Sequence, residues 1–262
     1  MKKLGRRFVR RLPLRSVVSL TIGVVAWEVT GQLFFAGRPY LFVPFSAAVG
    51  RLVFLASTGS LIRHTLASLQ WFAVGSGVAA GIGVPLGVLM GSSERVRSVA
   101  DPWVTIWLVT PHIVLFPVVI LWLGIGLVSK AMMVFLGALF PMVITTYSGS
   151  RMVSAEYLEV AASFGATRLQ QLTTILIPGS VPSIIGALRL GLGRGLISVV
   201  VAEWLGTNVG LGLLIKDASD MLDSATVFAG ALTFCCLGLL LHYSLSAIER
   251  RAAPWHQAQT EQ

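Results

Sequence analysis

Six apolar runs, at roughly 17 to 36, 66 to 90, 103 to 123, 131 to 149, 182 to 205 and 224 to 246, constrain this chain more than any other feature. Each has about the 20 residues that an α-helix needs to cross about 30 Å of hydrocarbon. The composition agrees: 55% of the 262 residues are apolar and only 12% are charged, whereas soluble domains carry about 25% charged residues. Mean hydropathy is +0.81. The expectation is an all-α integral membrane protein, one domain of six transmembrane helices.

The net charge of +9 does not point to nucleic acid, because of where the charges stand. Seven of the twenty Lys and Arg precede the first apolar run, with neither interleaved stacking aromatics nor a binding module after them. Such a cluster reads as a cytoplasmic N-terminus. Gly5-Arg6-Arg7-Phe8 also resembles a twin-arginine signal, but the multispan remainder favours a retained signal anchor. With six crossings both termini are cytoplasmic; thirteen basic residues then fall inside, five outside, and Arg189 and Arg194 lie within the fifth run. Cys235 and Cys236 are neighbours in an apolar run, and adjacent helical positions point apart, so no disulfide framework is expected. The chain divides into a basic N-terminus (1–16), a transmembrane domain (17–246) interrupted by a cytoplasmic loop (151–181), and a cytoplasmic tail (247–262). Outer loops at 37 to 64 and 206 to 223, with a tight turn near Lys130, are too short to fold alone. Recognition outside the membrane is delegated to another protein or occurs within the bilayer.

The cytoplasmic loop carries a soluble-looking helix. Ser154 suits its N-cap, Glu156 lies in the first turn where the helix dipole favours a negative charge, and Gly165 suits its C-terminal stop. Thr167-x-x-Gln170 then fits a capping box, and Pro178 and Pro182 bound this second helix before the fifth run. Leu158, Ala161, Ala162 and Gly165, spaced by three and four, share one small-residue face suited to close approach, with Glu159 beside it. An interfacial helix lying on lipid headgroups would want Lys or Arg on its polar face, and here the acidic pair argues against it.

At these residues the chain resembles the permease subunits of ATP-binding-cassette importers. Glu159-Val-Ala-Ala-Ser-Phe-Gly165-Ala with Ile177-Pro178 is similar to their EAA loop, which docks into a cleft on the ATPase subunit; Val160 stands where many relatives carry Ala. The resemblance implies that Glu156, Glu159, Ala161, Ala162, Gly165, Ala166 and Pro178 couple to the ATPase. It also implies a type I importer fold, MetI-like, in a bacterial cytoplasmic membrane. Its partners would be a second permease copy, two ATP-binding subunits holding ATP and Mg, and a periplasmic or lipoprotein substrate-binding protein. This chain itself has no Gly-x-x-x-x-Gly-Lys-[Ser/Thr] loop, so ATP is bound elsewhere and no enzyme activity is expected of it.

Further signals cover almost the whole chain. They include His64-Thr-x-x-Ser68-Leu, Gly81-Ile-Gly83-x-x-x-Gly87-x-x-x-Gly91, Phe116-Pro117, Trp122-x-Gly124-Ile-Gly126, Gly191-Leu-Gly193-Arg194, Ala202-Glu203, Gly210-Leu-Gly212 and Pro254-Trp255-His256. Together they resemble the branch that imports sulfonates, taurine, nitrate and related organic solutes. Where taurine-type relatives often carry Arg-Pro-x-Pro-Pro entering span three, this chain has Leu108-Val109-Thr110-Pro111-His112. That departure leaves open an uncharged heterocycle such as a thiamine precursor.

Ionisable groups at membrane depth cost at least about 2.5 kcal/mol unless paired or facing a cavity. Glu28, His112, Arg189, Arg194 and Glu203 therefore require partners or water. Arg189 and Glu203, near the ends of span five, are expected to snorkel, and Arg194 to face protein or the pathway, with Glu28 or Glu203 as its candidate partner. Pro111 frees a backbone carbonyl beside His112, so Thr110, Pro111, His112, Arg194 and Glu203 are candidate pathway residues. No residues stand at metal-ligand spacing. Two rival readings are weaker. An intramembrane hydrolase at Ser76 lacks the Gly-x-Ser-Gly context, since position 74 is Val. A channel or secondary transporter leaves the Glu159 helix unexplained and would show the repeats that are not seen here.

Overall fold

The computed structural model describes residues 14–205 and 207–253. The basic segment before Leu14 and Pro254-Trp255-His256 lie outside the described residues. Every regular element among the described residues is helical. In chain order these are α1 (Leu14–Phe34), α2 (Phe45–Ser57), α3 (Ser60–Ser92), α4 (Glu94–Val109), α5 (Phe116–Leu123), α6 (Leu127–Arg151), α7 (Ala155–Ser163), α8 (Arg168–Gln171), α9 (Ile177–Leu205), α10 (Leu211–Asp220) and α11 (Ser224–Ala252). Five helical stretches are long and apolar enough to cross a membrane: α1, α3, α6, the run Arg168–Leu205 containing α8 and α9, and α11. Glu94–Val109 and His112–Leu123, bent by 87° at the break between them, pass the same test only as a pair; counted as one span they bring the total to six.

The molecule is built around α6, which packs against α3 on one side and α9 on the other. In lipid, hydrophobic exclusion does not drive helices together, so close backbone approach must supply the packing. Small residues recur every fourth position on α3 (Gly75, Ala79, Gly83, Gly87, Gly91), and this row faces α6. A Cβ on Gly87 would stand 2.6 Å from the Val143 carbonyl oxygen and 2.7 Å from Thr146 Cβ. From the other side, a Cβ on Gly191 of α9 would meet Met142 Cε at 2.6 Å. By contrast Gly77 and Gly81 have open space around them. Met133, Val134, Ala138, Met142 and Val143 of α6 are fully buried in consequence.

The outer helices are attached by polar clips. Only 6% of the α1 span is buried; it is fastened where Trp27 Nε1 donates to the Val43 carbonyl at 3.0 Å and Glu28 accepts from Ser46 N and Oγ at 2.9 and 2.8 Å. Arg51 of α2 reaches α11, donating to Thr226 Oγ1 at 2.7 Å and to Asp223 at 3.0 Å. Burial acts to raise the carboxyl pKa of Asp223, but hydrogen bonds from Thr226 and the adjacent Arg51 outweigh it and hold the group below its ordinary value.

Several expectations need correction. The loops at 37 to 64 and 206 to 223 contain α2, the start of α3, and α10. The tight turn expected near Lys130 lies at Gly124–Gly126, and Lys130 itself is buried within α6. Pro178 and Pro182 do not separate a second cytoplasmic helix from span five. Residues 168–205 are one helical run, because Leu172–Leu176 forms a wide π turn. A proline ring clashes with the carbonyl four residues earlier, here Thr174, and the wider turn relieves that clash.

Candidate functional site

Two features are candidates, one at membrane depth and one at the end of the molecule where α3, α6 and α9 meet α7. The first arises from Pro111. A proline disfavours α-helical backbone at the preceding residue and brings no N–H of its own, so Thr110 (φ −83°, ψ 121°) and Pro111 (φ −68°, ψ 92°) are extended and the span breaks. Irregular backbone at membrane depth is tolerated only against protein or a water-filled cavity. Beside the break lies a cavity of about 280 Å³ lined by Thr110, His112, Trp107, Phe140, Thr145 and Arg194, among others. Trp107 and Phe140 stack there at 5.2 Å and 12°.

The break is held to α9 through His112. Its Nε2 lies 3.1 Å from Ser198 Oγ, which in turn donates to the Arg194 carbonyl at 3.1 Å. A hydroxyl has one proton, so with that proton on the carbonyl, His112 Nε2–H is the donor to Ser198. Gly137 of α6 makes room: a Cβ there would come 3.1 Å from His112 Nε2. Thr110, His112 and Arg194 therefore share one cavity; Pro111 shapes the break without lining it, and Glu203 is elsewhere.

Glu203 is 1% exposed and does not snorkel. It accepts from Ser68 Oγ of α3 at 2.7 Å and from the Gly212 N–H of α10 at 2.6 Å. Ser68 Oγ accepts from Leu211 N at 2.8 Å, and the Gly210 N–H donates to His64 Nδ1 at 3.1 Å. Lys130, 4% exposed, sits 3.6 Å from the Trp71 ring centroid and acts electrostatically on Glu203. The carboxylate thus satisfies the Gly212 N–H and Ser68 Oγ the Leu211 N–H at the start of α10, where the helix dipole favours the negative charge. His64, Ser68, Glu203 and Gly210-Leu-Gly212 were visible in the sequence only as separate signals; their convergence in one buried knot explains them together. Arg189 likewise is not a snorkelling residue, since it bonds Glu249 at 2.8 Å and Ser246 at 3.2 Å on α11. Neither Glu28 nor Glu203 pairs with Arg194.

The second feature is α7. Ser154 Oγ accepts from Glu156 N at 3.3 Å as its N-cap. At its other end Gly165 takes φ +80°, Gly165 N donates to the Ala162 carbonyl and Ala166 N to that of Ala161. That double bond pattern is the Schellman stop, which needs a left-handed residue where glycine stands. The capping box at Thr167 and Gln170 is formed. No residue of α7 is buried. Leu158 and Ala161 are half-buried, while Ala162 and Gly165 are exposed. The most outward apolar groups were not singled out in advance: Tyr157, Val160 and, just past the helix, Phe164, which is 88% exposed. Their exposure depends on how α7 is laid against the rest, which periodicity alone does not settle. Glu156 and Glu159 are also exposed, and Pro178 is half-buried. A cleft of about 700 Å³ separates Leu158, Ala162, Arg168 and Leu169 from Gly91–Ser93 at the α3–α4 junction.

Apolar spans packed around α6, a broken span beside a partly polar cavity and an exposed short helix at one end define an integral membrane protein. The chain belongs to the family of binding-protein-dependent transport system inner membrane components, whose model matches residues 83–254. It is 32% identical to the taurine transport system permease protein TauC of Escherichia coli, over 96% of this chain and 95% of that protein. It is also 32% identical to the putative aliphatic sulfonates transport permease protein SsuC of Bacillus subtilis, over 98% and 92%. The formylaminopyrimidine transport permease protein ThiX of Halalkalibacterium halodurans is 30% identical over 90% and 93%. Among solved structures, a chain of the MetNI methionine ABC transporter in an inward-facing conformation shares the fold, with a TM-score of 0.67 and 21% identity over 74% of this chain and 96% of that one.

Proposed function

We propose that this chain is the membrane-pathway subunit of an ATP-driven importer in a bacterial cytoplasmic membrane. It works as a pair of copies, receives a small organic anion of the sulfonate or taurine kind from an external binding protein, and docks α7 on a separate ATPase subunit that holds ATP and Mg. One observation carries the reading: a short, fully capped helix at the end of a membrane protein presents Tyr157, Val160 and Phe164 to water beside Glu156 and Glu159. Contiguous apolar exposure on a soluble face calls for a partner, and Arg95, Arg97, Arg151 and Arg168 at the same end favour the cytoplasm.

Movement of α7 has a short route to the cavity. Thr167 and Gln170 cap a helical run that continues from Arg168 to Leu205 and carries Arg194. Closure of the ATPases would push on α7, tilt this run, and shift Arg194 and the Ser198–His112 link together, opening the break alternately to either side. Thr110, His112 and Arg194 form the pathway wall in this reading, Pro111 sets the break that exposes them, and Glu203 holds α9 to α10 rather than touching cargo. An uncharged heterocycle is the second reading of the cargo, supported by the likeness to ThiX.

The test is ATP-dependent uptake in proteoliposomes holding the permease, its ATPase and its binding protein. Glu159→Lys and Gly165→Asp should each abolish uptake while leaving membrane insertion and yield unchanged. Normal uptake in both variants would overturn the docking role.

A further inference from the structure

We infer that the cavity at the broken span binds the anionic head group of the solute, with Arg194 as the residue that recognises it. The inference rests on reading this cavity as part of a solute pathway. Charges at membrane depth are costly unless they are paired or face water, and they mark functional positions. The other charged side chains within the apolar runs, Glu28, Arg189 and Glu203, have partners within the chain. Glu28 has Ser46 and Gln32, Arg189 has Glu249, and Glu203 has Ser68, Gly212 and the nearby Lys130. Arg194 is exposed to the cavity and makes no ion pair among the described residues.

The cavity's remaining chemistry selects the sign of the ligand. No carboxylate lines it. The Thr110 hydroxyl is committed to the Ile106 carbonyl at 2.8 Å, the Ser198 hydroxyl to the Arg194 carbonyl, and His112 Nε2–H to Ser198. The Arg194 guanidinium supplies the charged donors of the lining, with the Thr145 hydroxyl and the Trp107 indole N–H as neutral ones, and it forms a planar fork that pairs with two oxygens of a sulfonate or carboxylate at once. The stacked Trp107 and Phe140 supply an apolar wall for a short aliphatic tail, and about 280 Å³ limits the ligand to a small one. A small organic sulfonate combines all these properties.

The experiment is calorimetric titration of the complete permease–ATPase assembly in nanodiscs, without binding protein, using methanesulfonate and its uncharged isostere dimethyl sulfone. Saturable binding of methanesulfonate is expected, with none of dimethyl sulfone. Arg194→Gln should weaken methanesulfonate binding tenfold or more, and Arg194→Lys should keep part of it. Wild-type assembly that shows no saturable binding, that binds both compounds alike, or that binds equally well after Arg194→Gln would overturn the site. So would dissociation of the assembly by Arg194→Gln, which would make Arg194 an intersubunit contact instead. Uptake with the binding protein restored tests the cargo separately: Arg194-dependent binding without sulfonate uptake would support the site and overturn the sulfonate cargo.

Discussion

Arg194 and Glu203 lie on one face-to-core helix in the same membrane-grade run, yet they meet opposite environments. Glu203 is walled in by Ser68, Lys130 and the start of α10, whereas Arg194 opens onto a cavity. Composition reveals both charges; only packing distinguishes them. The knot around Glu203 depends on Gly210, whose φ of +143° is rarely accessible to other residues and whose missing Cβ leaves space for the carboxylate. Gly210→Ala should therefore destabilise the protein by about 1–3 kcal/mol from backbone strain alone, and thermal unfolding of the detergent-purified chain measures it. An unchanged Tm would mean that the α10 junction relaxes at no cost.

Among elements, α3 and α7 were the most legible. The capping residues of α7 and α8 are local chemistry, written in Ser154, Gly165, Thr167 and Gln170, and the structure forms all of them. The glycines of α3 were legible as close-packing residues, but not which of them pack. Gly87 touches α6 and Gly81 touches nothing, although both stand in the same run. Gly87→Leu should accordingly cost about 1–3 kcal/mol through overpacking and lower Tm, while Gly81→Leu should leave it within error. Equal effects of the two substitutions would refute the α3–α6 contact. The break at Pro111 was half-legible: a freed carbonyl was expected, but the 87° bend was not, because it depends on where α5 finds room against α6 and α9. The helix runs on through Pro178 and Pro182 because the π turn at Leu172–Leu176 accommodates the Pro178 ring, an adjustment of the preceding turn that the prolines alone do not announce.

For the whole molecule, basic-residue placement predicts an orientation that labelling can test. One end gathers α7 with Glu94, Arg97 and Arg151; the other gathers His64, Lys130, Glu203 and α10. Cysteines introduced at Phe164 and Lys216, in a chain with Cys235 and Cys236 replaced by Ser, should label with a membrane-impermeant maleimide from opposite sides. Phe164→Cys should react only in inverted vesicles and Lys216→Cys only in intact cells. Labelling of both from one side would break the topology. The sequence by itself determined the class, the apolar runs and the short capped helix after α6, because hydrocarbon leaves backbone groups no partner but their own helix and because capping is decided within a few residues. The tertiary structure alone decided which charges are paired, which glycines touch, and that Arg194 faces a cavity: these depend on contacts between segments far apart in the chain, and helical periodicity carries no information about which neighbour a face will meet.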